Sequence, residues 1–486
     1  MKAQLVTLLI VLFTQSVFAQ SGSVTLKGKA VQYAGLELTI QYVSNFITGE
    51  TEKPGVMKVD DNGSFNVSFD IDEVTLAFMD MGTVRGYLFL EPGTTYEVVM
   101  PPYTPQKESD ILNPYFKREE LVLGIANKEA QKLNRRITEF DDEFNYLFTK
   151  NAYRLLGGNG LKTTREITAQ LDSIFPSDDT SGFFYEYKKY RFAKLYILSL
   201  RRQKARVIND FFSNSPVLYN NPAYTESFLL MFKNFLDAYL SQKRGEELRQ
   251  VFIKGAPFDT LSLILGNDTL YRNREFREVV LLKGLFDAFY SGKFNKDKIN
   301  GLIKQAGEKG ASEKVRKMAA GIYKKVNHLR IGSKAPALKV YTLKGKERSL
   351  SSYKGRFVYL NFANIENHSC RKDFQLLDAL SKRMKRELTV VTVVTNNDPE
   401  KITEYIKKNK YQWDFLYSQD IMDVLAEYDI TGLPVYFLID PDGNLSLSPA
   451  PSPEENFTAR FYEALKNYRY KKVRKEKPNE KSIYQF

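Results

Sequence analysis

The chain has 486 residues, more than one ordinary core holds, and 43% are hydrophobic, which excludes a disordered chain. Its formal charge is +13 at pH 7, with 71 Lys and Arg against 58 Asp and Glu. The single cysteine excludes an intramolecular disulfide even in an oxidising compartment, so the core has to stand on packing.

Lys2, an apolar stretch over residues 5–13 and then Val17-Phe18-Ala19 have the layout of a cleavable export signal over residues 1–19. The apolar stretch is far shorter than the ~20 residues of a spanning helix. An N-terminal anchor is the other reading. No cysteine follows to carry a lipid, and no later stretch is long and apolar enough to cross a bilayer. The expectation is an exported protein of a Gram-negative periplasm. Export, and the lack of any nucleic-acid motif, argue against a nucleic-acid partner.

Residues 21–103 read as a β-sandwich domain. Short alternating or β-branched runs fall at 24–26, 36–42, 55–59, 64–69, 75–79, 87–90 and 95–99. Asp60-Asp61-Asn62-Gly63 is a hairpin signal, because Asn-Gly tolerates positive φ at both central positions. Pro101-Pro102-Tyr103-Thr104-Pro105 is a linker.

Residues 109–327 read as an α-helical domain. Helical spacing covers 116–155, 183–212, 224–240, 245–254, 276–290, 296–305 and 312–326, with Gly, Pro and Asn breakers between. Their many Phe and Tyr are core residues, or else the lining of a ligand groove. Glu139, Asp141, Asp142 and Glu143 make a carboxylate cluster that a helix would present as a solvated face.

Residues 331–468 alternate strand and helix. A buried strand at 356–362 runs into Asn364-Ile365-Glu366-Asn367-His368-Ser369-Cys370, and helical spacing follows to residue 386. An apolar strand at 388–394, a helix at 399–408, a strand at 414–416 and a helix at 420–428 come next. Thr431-Gly432-Leu433-Pro434-Val435 leads into a strand at 436–439, the turn Asp440-Pro441-Asp442-Gly443 and a closing helix at 457–468. The run after it, 469–486, is a basic tail with Arg469, Lys471, Lys472, Arg474, Lys475 and Lys477. It is either a solvated end or a peripheral contact with an anionic surface such as lipid headgroups.

These elements, with the opening Gly332-Ser333-Lys334-Ala335-Pro336, resemble the TlpA-like thioredoxin-fold proteins, exported multi-domain thiol–disulfide oxidoreductases. The expected fold class is therefore multi-domain: an N-terminal β-sandwich, an α-helical middle domain and a C-terminal α/β thioredoxin-like fold. The resemblance implies a Cys-x-x-Cys at the strand-to-helix corner. Its first cysteine attacks a disulfide and its second resolves the mixed disulfide. It also implies a cis-proline against the pair, beside which an extended substrate binds.

Carried onto this chain, Asn367 holds the attacking position, Cys370 the resolving one, and Pro434 after Leu433 the proline. Asn367 cannot form a thiolate but is a good helix N-cap. Glu366 beside the helix start would raise a nearby thiol's pKa. His368 would favour a thiolate only when protonated; otherwise it is an exposed loop residue. Cys370 is the candidate catalytic residue, or else a small buried hydrophobe. Asn367, His368, Leu433 and Pro434 are the candidate partner-binding residues.

Dithiol exchange within one chain is excluded by the cysteine count. A non-catalytic protein- or peptide-binding module is the first remaining reading. A monothiol enzyme using Cys370 is the second. The Pro-x-x-x-Thr-x-x-Cys of peroxiredoxins maps onto Ala363, Asn367 and Cys370, so its Pro and Thr are both replaced. A structural or carbohydrate-related role of the first two domains is the third. No His, Cys and Asp grouping has metal-ligand spacing and no phosphate loop occurs, so no metal or cofactor is expected.

Overall fold

The computed structural model of the protein describes residues 22–107, 110, 113, 116–176, 182–396 and 398–476. The expected signal at residues 1–19 and the tail beyond residue 476 lie outside the described residues. The chain divides into two compact units, one of residues up to 105 and 118–323, the other of 106–117 and 324 onward.

The first unit opens with the expected strands: β1 Gly22–Lys29, β2 Glu37–Asn45, β3 Glu50–Lys58, β4 Ser64–Ile71, β5 Thr75–Met81, β6 Val84–Leu90 and β7 Thr95–Val99. With β8 Glu119–Val122 and β9 Gly124–Ile125 they form two sheets, ordered β4-β1-β7-β9 and β3-β2-β5-β6-β8. Val24, Leu26 and Tyr96 of one sheet share a core with Ile40, Met79 and Leu88 of the other. The expected hairpin at residues 60–63 is instead a tight turn, closed by a single bridge between Val59 and Phe65, that carries the chain from β3 in one sheet to β4 in the other. Asp60 Oδ1 accepts there from the amides of Asn62 and Ser64 at 2.9 and 2.8 Å. Gly63 there has φ of +81°, which only glycine adopts at little cost.

The helical spacing from residue 116 is overridden at its start. Residues 119–122 pair in parallel with β6, from Val84 opposite Glu119 to Tyr87 opposite Val122. A distant strand partner of this kind is invisible to local periodicity. The helices begin with α1 Lys132–Leu156, followed by α2 Gly160–Ile174, α3 Phe183–Ser199, α4 Lys204–Phe211, α5 Pro222–Met231, α6 Phe235–Leu240, α7 Glu246–Ile253, α8 Phe258–Leu265, α9 Arg274–Tyr290, α10 Lys296–Lys309 and α11 Glu313–Asn327. Helix α2 goes unread in the sequence because Thr163, Thr164 and Thr168 take half of its buried face.

The strands and helices of this unit interlock. Asn134 of α1 accepts the Phe89 amide at 2.7 Å and donates to the Phe89 carbonyl at 2.8 Å, as a further strand would. The carboxylate cluster on α1 is also not wholly solvated. Asp141 makes a 3.0 Å ion pair with Arg191 and accepts from the Tyr187 hydroxyl at 2.6 Å.

The second unit carries a seven-stranded sheet of order β11-β10-β14-β13-β12-β15-β16. Its strands are β10 Val340–Thr342, β11 Glu347–Arg348, β12 Phe357–Ala363, β13 Leu388–Val394, β14 Asp414–Tyr417, β15 Val435–Ile439 and β16 Leu445–Ala450. Its helices are α12 His368–Arg383, α13 Pro399–Asn409, α14 Ile421–Glu427 and α15 Phe457–Glu476. Strand β12 is buried at every residue, and its side chains alternate between two cores. Phe357, Tyr359 and Ala363 meet Phe374 and Leu377 of α12 and Phe457 and Phe461 of α15. Val358, Leu360 and Phe362 meet Val424 and Leu425 of α14 on the other face. This is the layered α/β arrangement expected for residues 331–468.

The basic run corrects one expectation. The closing helix does not stop at Tyr468 but continues to Glu476, so residues 469–476 are helix. Lys and Arg are good helix formers and suit a helix C-terminus, which explains the continuation.

Candidate functional site

Strand β12 ends beside the start of β15, with Phe362 opposite Val435. The chain therefore leaves β12 toward α12 at the same sheet end where Leu433-Pro434 leads into β15. The Leu433–Pro434 peptide bond is cis. Leu433 and Pro434 are half-buried, and Leu433 packs on the core cluster that holds Cys370.

The turn between β12 and α12 is tied down by amides. Asn364 Oδ1 accepts the Glu366 amide at 2.8 Å, and the Asn364 carbonyl accepts the Asn367 amide at 3.2 Å. Asn396, just past β13, accepts the Ile365 amide through Oδ1 at 2.9 Å. The Asn367 side chain then accepts the Cys370 amide at 3.2 Å. Asn367 is the N-cap of α12, with extended φ and ψ of −74° and 128°. The cap takes up one of the four amides that a helix start leaves unpartnered.

Asn367, His368 and Ser369 are exposed, and Cys370 is fully buried. Burial pushes the Cys370 thiol up to about 11, backbone hydrogen bonding at Asn364 and at its own amide pulls it down, and the Asp373 carboxylate pushes it further up. The first turn of α12 would favour a thiolate through the helix dipole. Desolvation outweighs that pull.

The carboxylate that acts on the thiol is Asp373, three residues on, and not Glu366. Glu366 is exposed and pairs with Lys401 of α13. Asp373 is buried and accepts from the Tyr436 hydroxyl at 2.5 Å. Tyr436 lies on β15, opposite Asn361, and its ring stacks on Tyr359 with centroids 5.2 Å apart. Burial, and then the Asp373 carboxylate, hold the Tyr436 phenol far above its ordinary range. A polar strap thus crosses from β15 to α12 one turn below Cys370. Sequence reasoning did not pick out Asp373, Tyr436 or Lys401. The only available signal was Asp373, an acidic residue at a core-facing position of α12.

The structure thus brings Asn367, His368 and Cys370 together at the helix start and sets Leu433 and Pro434 at the same end of the sheet. Among the described residues no group of three or more His, Cys, Asp or Glu could hold a metal ion.

Comparison with known proteins places this region. Residues 331–448 match the AhpC/TSA family. The thiol-disulfide oxidoreductase ResA of Bacillus cereus is 26% identical over 129 residues, which are 26% of this chain and 72% of that protein. ResA of Bacillus subtilis is 30% identical over 115 residues, 24% of this chain and 64% of that protein. Among solved structures, the thioredoxin domain of a thiol-disulfide oxidoreductase from Bacteroides vulgatus is similar, with 28% identity and a TM-score of 0.26. That likeness covers 28% of this chain and 98% of the other.

Proposed function

We propose that the AhpC/TSA-type thioredoxin-like domain at residues 331–448 is a non-catalytic module that binds a protein or an extended peptide at its Pro434 edge. The observation that carries this reading is Asn367. It stands where the attacking cysteine of a Cys-x-x-Cys would stand, and its side chain caps α12 by accepting from Cys370. An amide side chain forms no thiolate. The chain has one cysteine, and a buried thiol near 11 is thiolate in only about one molecule in ten thousand at pH 7. What remains of the site is its binding edge, Leu433-Pro434 at the start of β15.

We place the protein in the periplasm. The signal-like residues 1–19 support export.

One observation favours a second reading. Cys370 lies in the first turn of α12, where a helix start helps a thiolate, so a monothiol enzyme would be built here. The two are separated by an insulin-disulfide reduction assay with dithiothreitol. The wild type is expected to add nothing to the uncatalysed rate, whereas Asn367→Cys, with two thiols one helical turn apart, is expected to accelerate it. Acceleration by the wild type would favour the monothiol enzyme. The binding reading is tested with peptides selected from a random library on the full chain. Pro434→Ala is expected to weaken their binding about tenfold or more, the loss of a central contact. Unchanged binding would contradict it.

A further inference from the structure

The last helix leaves its domain before it ends. The core-facing line of α15 runs Phe457, Phe461, Leu465 and Tyr468, three or four residues apart, and all four pack in the core beneath Cys370. The next position on that line, four residues beyond Tyr468, is Lys472, and it is exposed. From residue 469 to 474 every side chain is exposed. These six residues hold Arg469, Lys471, Lys472 and Arg474, and the sequence has no acidic residue between Glu463 and Arg474.

The overhang is not merely charged. Tyr462, Tyr470 and Val473 are 51%, 46% and 59% exposed. Val473 follows Tyr462 by about three full turns, so the two lie on one side of the helix. Lys466 and Arg469 fall between them on that line, and Tyr470 stands beside it. A helix dipole accounts for cations in the last turn only. It accounts neither for cations over two turns nor for apolar side chains left in water among them.

We propose that the projecting end of α15 rests on an anionic lipid surface. Its Lys and Arg side chains would meet headgroup phosphates, while Tyr462, Tyr470 and Val473 enter the headgroup boundary, where tyrosine is favoured. The long basic stems lie along the apolar side chains and lift their charges to the phosphates. A soluble polyanion would use the charges and leave the two tyrosines and the valine exposed. The lipid surface uses both. This inference does not depend on what the Pro434 edge binds.

The test is sedimentation of the full chain with vesicles of phosphatidylcholine alone and of phosphatidylcholine mixed with phosphatidylglycerol. The wild type is expected to bind the mixed vesicles and to lose that binding at about 1 M salt, where charges are screened within ~3 Å. Each basic residue near such a surface is worth about fivefold in binding. Changing Arg469, Lys471, Lys472 and Arg474 together to Gln is therefore expected to weaken it by a few hundredfold. Tyr470→Ser with Val473→Ser is expected to weaken it about tenfold and to leave the salt dependence in place. Both variants share the N-terminal apolar stretch with the wild type, so the differences report on α15. Because none of the changed residues packs in the core, Trp413 fluorescence should show each variant folded. Equal binding by the four-Gln variant, or equal binding to both vesicle types, would overturn the proposal. So would binding to heparin as tight as to the mixed vesicles and indifferent to Tyr470 and Val473, which would mark a general polyanion patch.

Discussion

Asn367 accepts the amide of Cys370 at 3.2 Å, so the residue three positions before the thiol serves as the cap of the helix it opens. Losing that acceptor should cost about 1 kcal/mol, the usual worth of an Asn N-cap. Asn367→Ala should lower the stability of this domain by that amount, and Asn367→Asp should lie within a few tenths of a kcal/mol of the wild type. Urea unfolding followed by the single tryptophan measures it. Trp413 packs beside Phe374, Tyr411 and Phe415 and donates to Thr392 at 2.9 Å, so it reports on this domain alone. Equal stability of Asn367→Ala and wild type would contradict the capping role.

Tyr436 and Asp373 form a buried pair, and a buried carboxylate without its donor is costly. Tyr436→Phe should destabilise the domain by about 1–3 kcal/mol. Replacing both, with Tyr436→Phe and Asp373→Leu, should cost less than the sum of the two single changes, because nothing polar is then stranded. Urea midpoints of the two single variants and the double variant test this. Strict additivity would mean that the two side chains do not support each other.

The buried thiol has a signature in alkali. Its folded-state value lies near 11 against an ordinary 9.0. A group raised on folding contributes stability that is complete below its unfolded value and disappears as pH passes its folded one. Cys370 therefore adds full stability below about pH 9 and loses it toward pH 11. Two units at about 1.4 kcal/mol each come to roughly 3 kcal/mol. Tyrosines also titrate in this range, so the comparison is with Cys370→Ala, which keeps them. The stability gap between wild type and Cys370→Ala should narrow by about that amount from pH 9 to 11. A constant gap would show that the thiol is not held neutral by burial.

How much was legible in the sequence depended on whether a signal was local. The corner from β12 into α12, the Pro434 segment and the turn at Asp60 to Gly63 are written in neighbouring residues, although that turn joins two sheets and is not the hairpin its Asn-Gly suggests. The alternation of the β-sandwich strands and the apolar run of β13 were local as well. What escaped was set by distant partners. Residues 119–122 carry helical spacing and become a strand because β6 offers an edge. Glu366 reads as a lone carboxylate beside the thiol until Lys401, on a different helix, comes alongside. Asp141 reads as part of a solvated face until α3 brings Arg191 to it. Asp373 and Tyr436 stand 63 residues apart in sequence and meet only when β15 pairs with β12. The basic run after Tyr468 gave its charge correctly and hid its conformation, because a run of Lys and Arg suits a helix and a solvated tail alike.

Cys370 is fully buried in the core of the domain, and the proposed binding role requires that it carry no thiol chemistry. The most direct test is the rate of Cys370 alkylation in the native full chain from about pH 5 to 9, against a denatured control. The native thiol is expected to be protected, with a rate that keeps rising to the highest pH and reaches the denatured rate only on unfolding. Fast alkylation at neutral pH, with a midpoint well below about 8.5, would contradict it and give the site back to catalysis.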